Sequence, residues 1–340
     1  MSYSPLPKKE VINAIERKNP SRIPLINCKW WGEGLDEQYG EQLNQFEKYP
    51  DDALMVLIDP MKGMEFKTGE MKEKKAHDAA GLLSDWDDLD DFIAALPDPG
   101  EIDYFTDFQK QVQKAHREDR YLLFGWWRLF FERPWGLRGM ENILMDYYLH
   151  PQKVHKLHQV LAKHYGAIIK RAVDELDFDG FWTSDDLGHQ EQLMMKPEQF
   201  QEFIKPYYIQ IADICHRNKK HFWLHSCGDN TAIMDDLIQA GVDVFHPVQK
   251  HAMDEEEVAE KFGDRMNFLA GIDVQHVLQE GTPADVRREV RYLIDTFDHP
   301  EGGMCLAAGN GIVGGTPLEN IEAFLDEACK YGKKVRKKYE

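Results

Sequence analysis

The chain has 340 residues, a formal charge of −19 and 42% hydrophobic residues. That apolar content is enough for a sizeable core and excludes a disordered chain, while the acidic balance argues against nucleic acid or an anionic membrane as the main partner. The chain has no run of about 18 uncharged apolar residues, as a membrane span requires, and no apolar signal segment near its start. Five scattered cysteines indicate reduced thiols, so we expect a cytoplasmic protein.

Short apolar segments alternate with helical patterns along most of the chain, after an amphipathic first helix over residues 8–17. The segments are apolar throughout and are bounded by Gly, Pro, Asp or Asn, as is typical of buried parallel strands. The predicted strands are residues 23–27, 54–58, 121–125, 178–182, 221–225, 242–245, 267–270 and 303–308. The clearest later helices are residues 141–176, 197–218, 230–240, 282–297 and 317–338.

Eight strands with intervening helices predict an α/β fold, namely a single (β/α)8 TIM barrel domain over residues 1–340. A doubly wound sheet is the alternative, but no G-x-G-x-x-G motif follows the first strand. The segment 64–118 is too long for a simple crossover, so we predict an insertion between the second and third strands. Its first part, residues 64–74, has the pattern of a β-hairpin, and its acidic second part is typical of a solvated excursion.

Polar and aromatic side chains follow the predicted strands, where the βα loops of such a barrel form the active site. They predict an acidic, partly aromatic rim. The rim residues are Asn27, Cys28, Asp59, Trp126, Trp127, Arg128, Ser184, Asp185, Asp186, His225, Cys227, His246, Gln249, Asp273 and Asn310.

The sequence H-S-C-G at residues 225–228 is the most specific local signal. His225 and Cys227 are two residues apart in extended backbone, so both side chains can reach one ion, and imidazole with thiolate suits Zn²⁺. A single pair of this kind is more often incidental, and zinc needs at least one further protein ligand.

Carboxylates follow two other strands. Of the adjacent pair Asp185 and Asp186, we expect one to cap a helix and the other to face the cavity. Asp59 follows an apolar strand, where a carboxylate could act as an acid–base or charge-stabilising group or could bond loop amides.

Trp126 and Trp127 directly follow the third predicted strand. Adjacent residues of extended backbone face opposite ways, so one ring is expected to line the cavity and stack on a flat substrate or cofactor. Core packing is the alternative for both.

Several segments together resemble the uroporphyrinogen decarboxylase superfamily over nearly the whole chain. They are NAIERKNPSRIP, DALMVLID, SDDLGHQ, WLHSCGD, AGVDVFHPVQ, LAGIDVQ and AAGNGI with TPLENI. The resemblance implies a (β/α)8 barrel and one of two chemistries. One branch decarboxylates uroporphyrinogen without a cofactor. The other transfers methyl groups between a small substrate or thiol and a corrinoid, with zinc activating the acceptor or polarising the donor.

The chain departs from the patterns of both branches. The decarboxylases carry Arg-Gln-x-x-Gly-Arg after the first strand, whereas residues 27–32 read NCKWWG, although Asp59 matches their essential aspartate. His225 and Cys227 match the His-x-Cys pair of the methyltransferases, but Asn310 occupies the position of a later cysteine. The residues nominated to complete a zinc site instead are Asp185, Asp186, Glu191 and His246.

On this resemblance we predict a cobalamin-dependent methyltransferase in which His225 and Cys227 hold zinc. Asp59, Asp186 and Asn310 are the catalytic candidates. The cobalamin is expected on a separate corrinoid protein, because the chain has no D-x-H-x-x-G motif. The chain could also pair with a second copy as a homodimer. One alternative is a metal-free decarboxylase acting on a smaller substrate through Asp59, and another is a non-catalytic barrel that binds a tetrapyrrole or aromatic ligand. The substrate- or cofactor-binding candidates are Trp126, Trp127, Asp185, His246, Gln249 and Asp273.

Overall fold

A computed structural model of the chain describes residues 3–64 and 81–339. The hairpin predicted over residues 64–74 lies outside the described residues except for Met64. The predicted insertion is therefore described only in its second part, which contains short helices.

Seven parallel strands, counted over the described residues, form one sheet in which the order of the strands follows the chain. Each lies within two residues of a predicted strand at both ends, so the α/β barrel prediction is confirmed for seven of its eight strands. The strands are β1 (Ala53–Leu57), β2 (Tyr121–Trp126), β3 (Gly180–Ser184), β4 (His221–His225), β5 (Val244–His246), β6 (Asn267–Ile272) and β7 (Met304–Ala308).

The remaining predicted strand, residues 23–27, is an irregular segment between the two edge strands. The Ile26 N–H donates to the Leu306 carbonyl of β7 over 3.0 Å, and the Asp52 N–H, just before β1, donates to the Leu25 carbonyl over 2.8 Å. Pro24 has no N–H to give, and Asn27 has a left-handed φ of +55°. The segment therefore takes the eighth position of the barrel without a regular ladder.

Helices cover the outside of the sheet, and several predicted helices are divided. The helix predicted over residues 141–176 is two helices, because Pro151 starts a new one. The helix predicted over 197–218 contains a π-helical turn, Phe200–Ile204. The α-helices are α1 (Lys8–Ile15), α2 (Leu35–Tyr39), α3 (Leu89–Ala95), α4 (Gln109–Arg117), α5 (Glu132–Arg138), α6 (Met140–Leu149), α7 (Pro151–Leu176), α8 (Pro197–Gln199), α9 (Lys205–Arg217), α10 (Met234–Gln239), α11 (Glu255–Phe262), α12 (Pro283–Phe297) and α13 (Leu318–Arg336), with 3₁₀ turns at Gly40–Lys48, Trp86–Asp88, Thr106–Phe108 and Thr231–Ile233.

The strands bury side chains on both faces. Along β2, Leu122, Phe124 and Trp126 pack between the sheet and the helices, whereas Leu123 points into the barrel with Trp182 and other apolar residues. This interior core, closed at the amino-terminal end of the strands by α1, is a plug and not a pore. The residues at the carboxyl ends of the strands therefore lie above a solid floor. None of the described helices is both long and apolar enough to cross a membrane.

Candidate metal centre

Three side chains with metal-binding atoms converge at the ends of β3 and β4. The Sγ of Cys227 lies 3.4 Å from Nε2 of His225, and the same Nε2 lies 3.7 Å from Oδ1 of Asp186. Tetrahedral zinc, with Zn–N of about 2.0 Å and Zn–S of about 2.3 Å, separates its nitrogen and sulfur ligands by about 3.5 Å. The two spacings measured from Nε2 of His225 are therefore of the size that a zinc site requires.

A second histidine fixes the orientation of His225. The Nδ1 atoms of His225 and His246 are 2.6 Å apart, and Nε2 of His246 lies 3.0 Å from the Ala308 carbonyl. Burial lowers the pKa of His225 to about 4 and that of His246 well below its usual value, so both rings are neutral. Because a carbonyl only accepts, His246 carries its hydrogen on Nε2, and its Nδ1 must accept from His225. Nε2 of His225 thus carries no hydrogen, and its lone pair faces Cys227 and Asp186.

The loop that carries Cys227 is held rigidly. The Cys227 N–H donates to Oδ1 of Asp186 over 2.8 Å, and the Gly228 N–H donates to Oε1 of Gln249 over 2.7 Å. Gly228 has φ +81°, and a Cβ there would lie 2.2 Å from the backbone of Gly188. A glycine is required because the two loops touch through their backbones.

The surroundings of the cluster are acidic. Burial raises the pKa of the Cys227 thiol, and the carboxylates of Asp186 and Glu132 raise it further. Glu132, which no motif in the sequence marks, begins α5 and accepts a 2.6 Å hydrogen bond from the Ser184 hydroxyl. Burial, followed by the charges of Asp186 and Asp185, raises the pKa of Glu132. A thiolate at Cys227 therefore needs a cation beside it.

Asp185 does not reach the cluster. Its carboxylate is fully buried and accepts backbone N–H groups of Phe130, Phe131 and Glu132 over 2.7–2.9 Å, and the Tyr208 hydroxyl over 2.9 Å. Asp185 therefore secures the start of α5, which corrects its assignment to substrate binding. Of the two adjacent carboxylates, only Asp186 faces the mouth.

The side chains of Trp126 and Trp127 face opposite sides of the sheet, as expected for adjacent residues of an extended backbone. Trp126 is fully buried beside Phe181, 4.7 Å between ring centroids, on the helix side of the sheet, which corrects its assignment to the cavity. Trp127 is 39% exposed, with its ring centroid 6.0 Å from His225 and 5.5 Å from Trp30. Trp30, which sequence reasoning did not single out, lies 5.8 Å from His225. Trp127 and Trp30 form an aromatic wall beside the cluster.

The other nominated residues lie around the mouth in different settings. His246 is buried behind His225 and does not face substrate, which corrects that assignment. Asn310 places its Nδ2, not its oxygen, 3.7 Å from Cys227 Sγ. With Cys227 it lines a cleft that Gln249 and Asp273 also line.

Asp59 and Glu191 lie away from that cleft. Asp59 is exposed, not in a dry strand end, and accepts the Met61 N–H over 2.9 Å; it borders another opening beside Trp127 and Glu132. Glu191 is exposed on a third opening and is not part of the cluster.

A sequence model of the family described as uroporphyrinogen decarboxylase (URO-D) matches residues 132–331, more than half of the chain. The chain belongs to the URO-D family. The matched region contains the whole Asp186–His225–Cys227 cluster and Asn310, whereas Asp59 and Trp127 lie before it.

Two curated relatives of the chain are named as methyltransferases. The methylated-thiol–coenzyme M methyltransferase of Methanosarcina mazei is 29% identical over 140 residues, 40% of this URO-D family chain and 34% of the relative. The methylcobamide:CoM methyltransferase MtaA of Methanosarcina barkeri is 27% identical over 139 residues, 41% of this chain and 38% of the relative. The chain thus spans little more than a third of the length of these curated relatives.

A solved structure described as a methyltransferase from Methanosarcina mazei has the same fold. It superposes with a TM-score of 0.65 at 14% identity, covering 95% of this chain and 98% of its own. The likeness supports the TIM-barrel fold of the described residues.

Proposed function

We propose that the chain is a methyltransferase that moves a methyl group between a small thiol or related substrate and a corrinoid carried by a separate protein. The observation that carries the proposal is the convergence of the Asp186, His225 and Cys227 donor atoms at the mouth of the barrel. Zinc bound there would act as a Lewis acid that favours the thiolate form of a substrate thiol.

The protein's own residues are arranged for that task. The His225 lone pair is fixed by His246, and Asp186 both faces His225 and holds the Cys227 amide. Three protein ligands leave a fourth position for a substrate atom, as in catalytic zinc sites. Trp127 and Trp30 offer flat apolar surfaces beside that position, where a corrin ring or substrate can stack.

The relatives support the choice of substrates. Their names specify a methylated thiol, coenzyme M and methylcobamide, and a thiol sulfur suits the fourth position of this site. We also propose a cytoplasmic location, because all five cysteines are free thiols and Cys227 alone is not fully buried.

The test is anaerobic incubation of the protein with methylcobalamin and 2-mercaptoethanol. The thiol sulfur bonds to the methyl carbon, the electron pair of the Co–C bond stays on cobalt, and the thiol proton goes to solvent. We expect the spectrum of cob(I)alamin to appear with wild-type protein and with Cys28→Ser, which changes a fully buried thiol outside the cluster, but not with Cys227→Ser.

The alternatives give different outcomes. A decarboxylase would release CO₂ from a carboxylated substrate, lose turnover in Asp59→Asn and tolerate Cys227→Ser. A non-catalytic barrel would bind a tetrapyrrole equally well after both Asp59 and His225 were replaced. Either result, together with no demethylation of methylcobalamin, would overturn the proposed function.

A further inference from the structure

A second cluster of metal-binding side chains lies on the loops that follow β5 and β6. His251 comes from the first loop, and Asp273 and His276 come from the second. Oδ2 of Asp273 lies 3.1 Å from Nδ1 of His276 and 3.6 Å from Nε2 of His251. All three donor atoms lie within 4.8 Å of one another.

The carboxylate is positioned by the backbone of its own loop. Oδ1 of Asp273 accepts the N–H groups of Gln275 and His276 over 2.9 and 3.1 Å. Its side chain is only 7% exposed. The other oxygen is therefore held toward the two imidazoles before any ligand arrives, which lowers the entropy lost on binding.

A hydrogen bond to Asp273 explains the position of the His276 imidazole but not that of His251. His251 approaches the same oxygen at 3.6 Å, beyond hydrogen-bond distance, and its ring meets that of His276 at 85° with centroids 5.0 Å apart. His251 also has a left-handed φ of +67°, a backbone conformation that residues other than glycine adopt uncommonly. The unusual backbone conformation at His251 thus points a second imidazole toward Oδ2 of Asp273, an oxygen that already bonds His276.

We propose that His251, Asp273 and His276 form a binding site for a divalent first-row transition cation such as Zn²⁺, Co²⁺ or Ni²⁺. Two nitrogens and one carboxylate oxygen favour such ions over Mg²⁺ or Ca²⁺, which prefer oxygen ligands. Bonds of about 2.0–2.2 Å separate tetrahedral ligands by about 3.3 Å, close to the two distances measured from Oδ2.

The site opens toward the cleft that Cys227 and Asn310 line. Both imidazoles of the cluster are more than half exposed, so a cation there keeps coordination positions for water or for an anionic oxygen of a bound molecule. The proposal does not depend on methyl transfer, since it rests on donor atoms that the first cluster does not use.

The test is titration of the metal-free full-length protein with Co²⁺, followed by absorption spectroscopy. Wild type is expected to bind two equivalents, one with a thiolate-to-cobalt charge-transfer band from Cys227 and one without it. His276→Ala should lose the second equivalent, with an affinity reduced by more than about 100-fold because a ligand is removed, and should keep the thiolate band. Cys227→Ser should show the reverse.

The matched control is His216→Ala, which removes another His–Asp pair, with Asp243 at 2.8 Å, that belongs to neither of the donor clusters found among the described residues. It should retain both equivalents. A wild-type protein that binds only the equivalent with the thiolate band, or an equivalent without that band that survives His276→Ala, would overturn the proposal. Failure of the demethylation assay with two bound equivalents would leave this site intact and count only against the proposed function.

Discussion

Replacing His246 by leucine tests whether a residue that does not face the metal controls metal affinity. His246 accepts from Nδ1 of His225 and thereby keeps the hydrogen off Nε2. In His246→Leu that acceptor is gone, and the buried His225 ring can move its hydrogen to Nε2 and donate to Asp186 or Cys227 instead.

The size of the effect follows from the hydrogen bond that is lost. To bind metal through Nε2, His225 in the variant must carry its hydrogen on Nδ1. That N–H is then a buried donor without an acceptor, which costs about 1–3 kcal/mol. That cost weakens zinc binding by a factor of about 5 to 150, in the range of about 10–100-fold typical of residues behind a metal-ligating histidine.

The measurement is zinc affinity by competition with a chromogenic chelator, made in His276→Ala protein so that only the first cluster is titrated. His246→Gln offers an amide oxygen as acceptor and should recover part of the affinity. The control is His158→Gln, which alters another buried histidine whose ring bonds a carbonyl, that of Phe203, and which belongs to neither donor cluster. Wild-type zinc affinity in His246→Leu would refute the reasoning, provided that its circular dichroism shows a folded protein.

Three further predictions concern stability and the thiols. Asp52→Ala should lower the free energy of unfolding by about 3–5 kcal/mol in urea titrations, because it leaves the mostly buried Arg22 unpaired and removes acceptors at the barrel closure; Asp51→Ala is the neighbouring control. Burial lowers the pKa of His158 to about 4, so its contribution is fully present above about pH 6.5 and is lost as pH falls toward 4. His158→Gln should therefore reduce the loss of stability between pH 7.5 and 5 by about 2 kcal/mol, and an unchanged pH dependence would contradict this assignment. In His276→Ala protein, which lacks the second cluster, Cys305→Ala, in the barrel interior, should retain zinc by elemental analysis, whereas Cys227→Ser should lose it; equal zinc contents would count against the thiolate ligand.

The sequence predicted the parts of the site that depend on strand ends. Strand β4 ends at His225 as predicted, and the extended spacing of His225 and Cys227 does bring their donor atoms together. The pairing of His225 with His246 follows from the register of β4 and β5. That register places the two rings side by side, but only the Ala308 carbonyl decides which nitrogen carries hydrogen, and no local pattern reveals it.

Other features depend on contacts between segments far apart in the chain. Glu132 reaches the cluster only because Asp185 holds the start of α5 against the end of β3. Residues 23–27 have a strand-like sequence but form no regular strand, in part because Pro24 has no N–H to donate to the ladder. The proximity of His251 to Asp273 arises only because the fold places the loops after β5 and β6 side by side, which the sequence does not reveal.

The most direct test of the zinc proposal is the zinc K-edge X-ray absorption of His276→Ala protein, which lacks the second cluster, without and with an alkyl thiol. We predict stoichiometric zinc with one sulfur at about 2.3 Å, from Cys227, and nitrogen or oxygen ligands in the remaining positions. Addition of the thiol should bring a second sulfur to the metal. An unchanged sulfur number, or protein without stoichiometric zinc, would contradict the account.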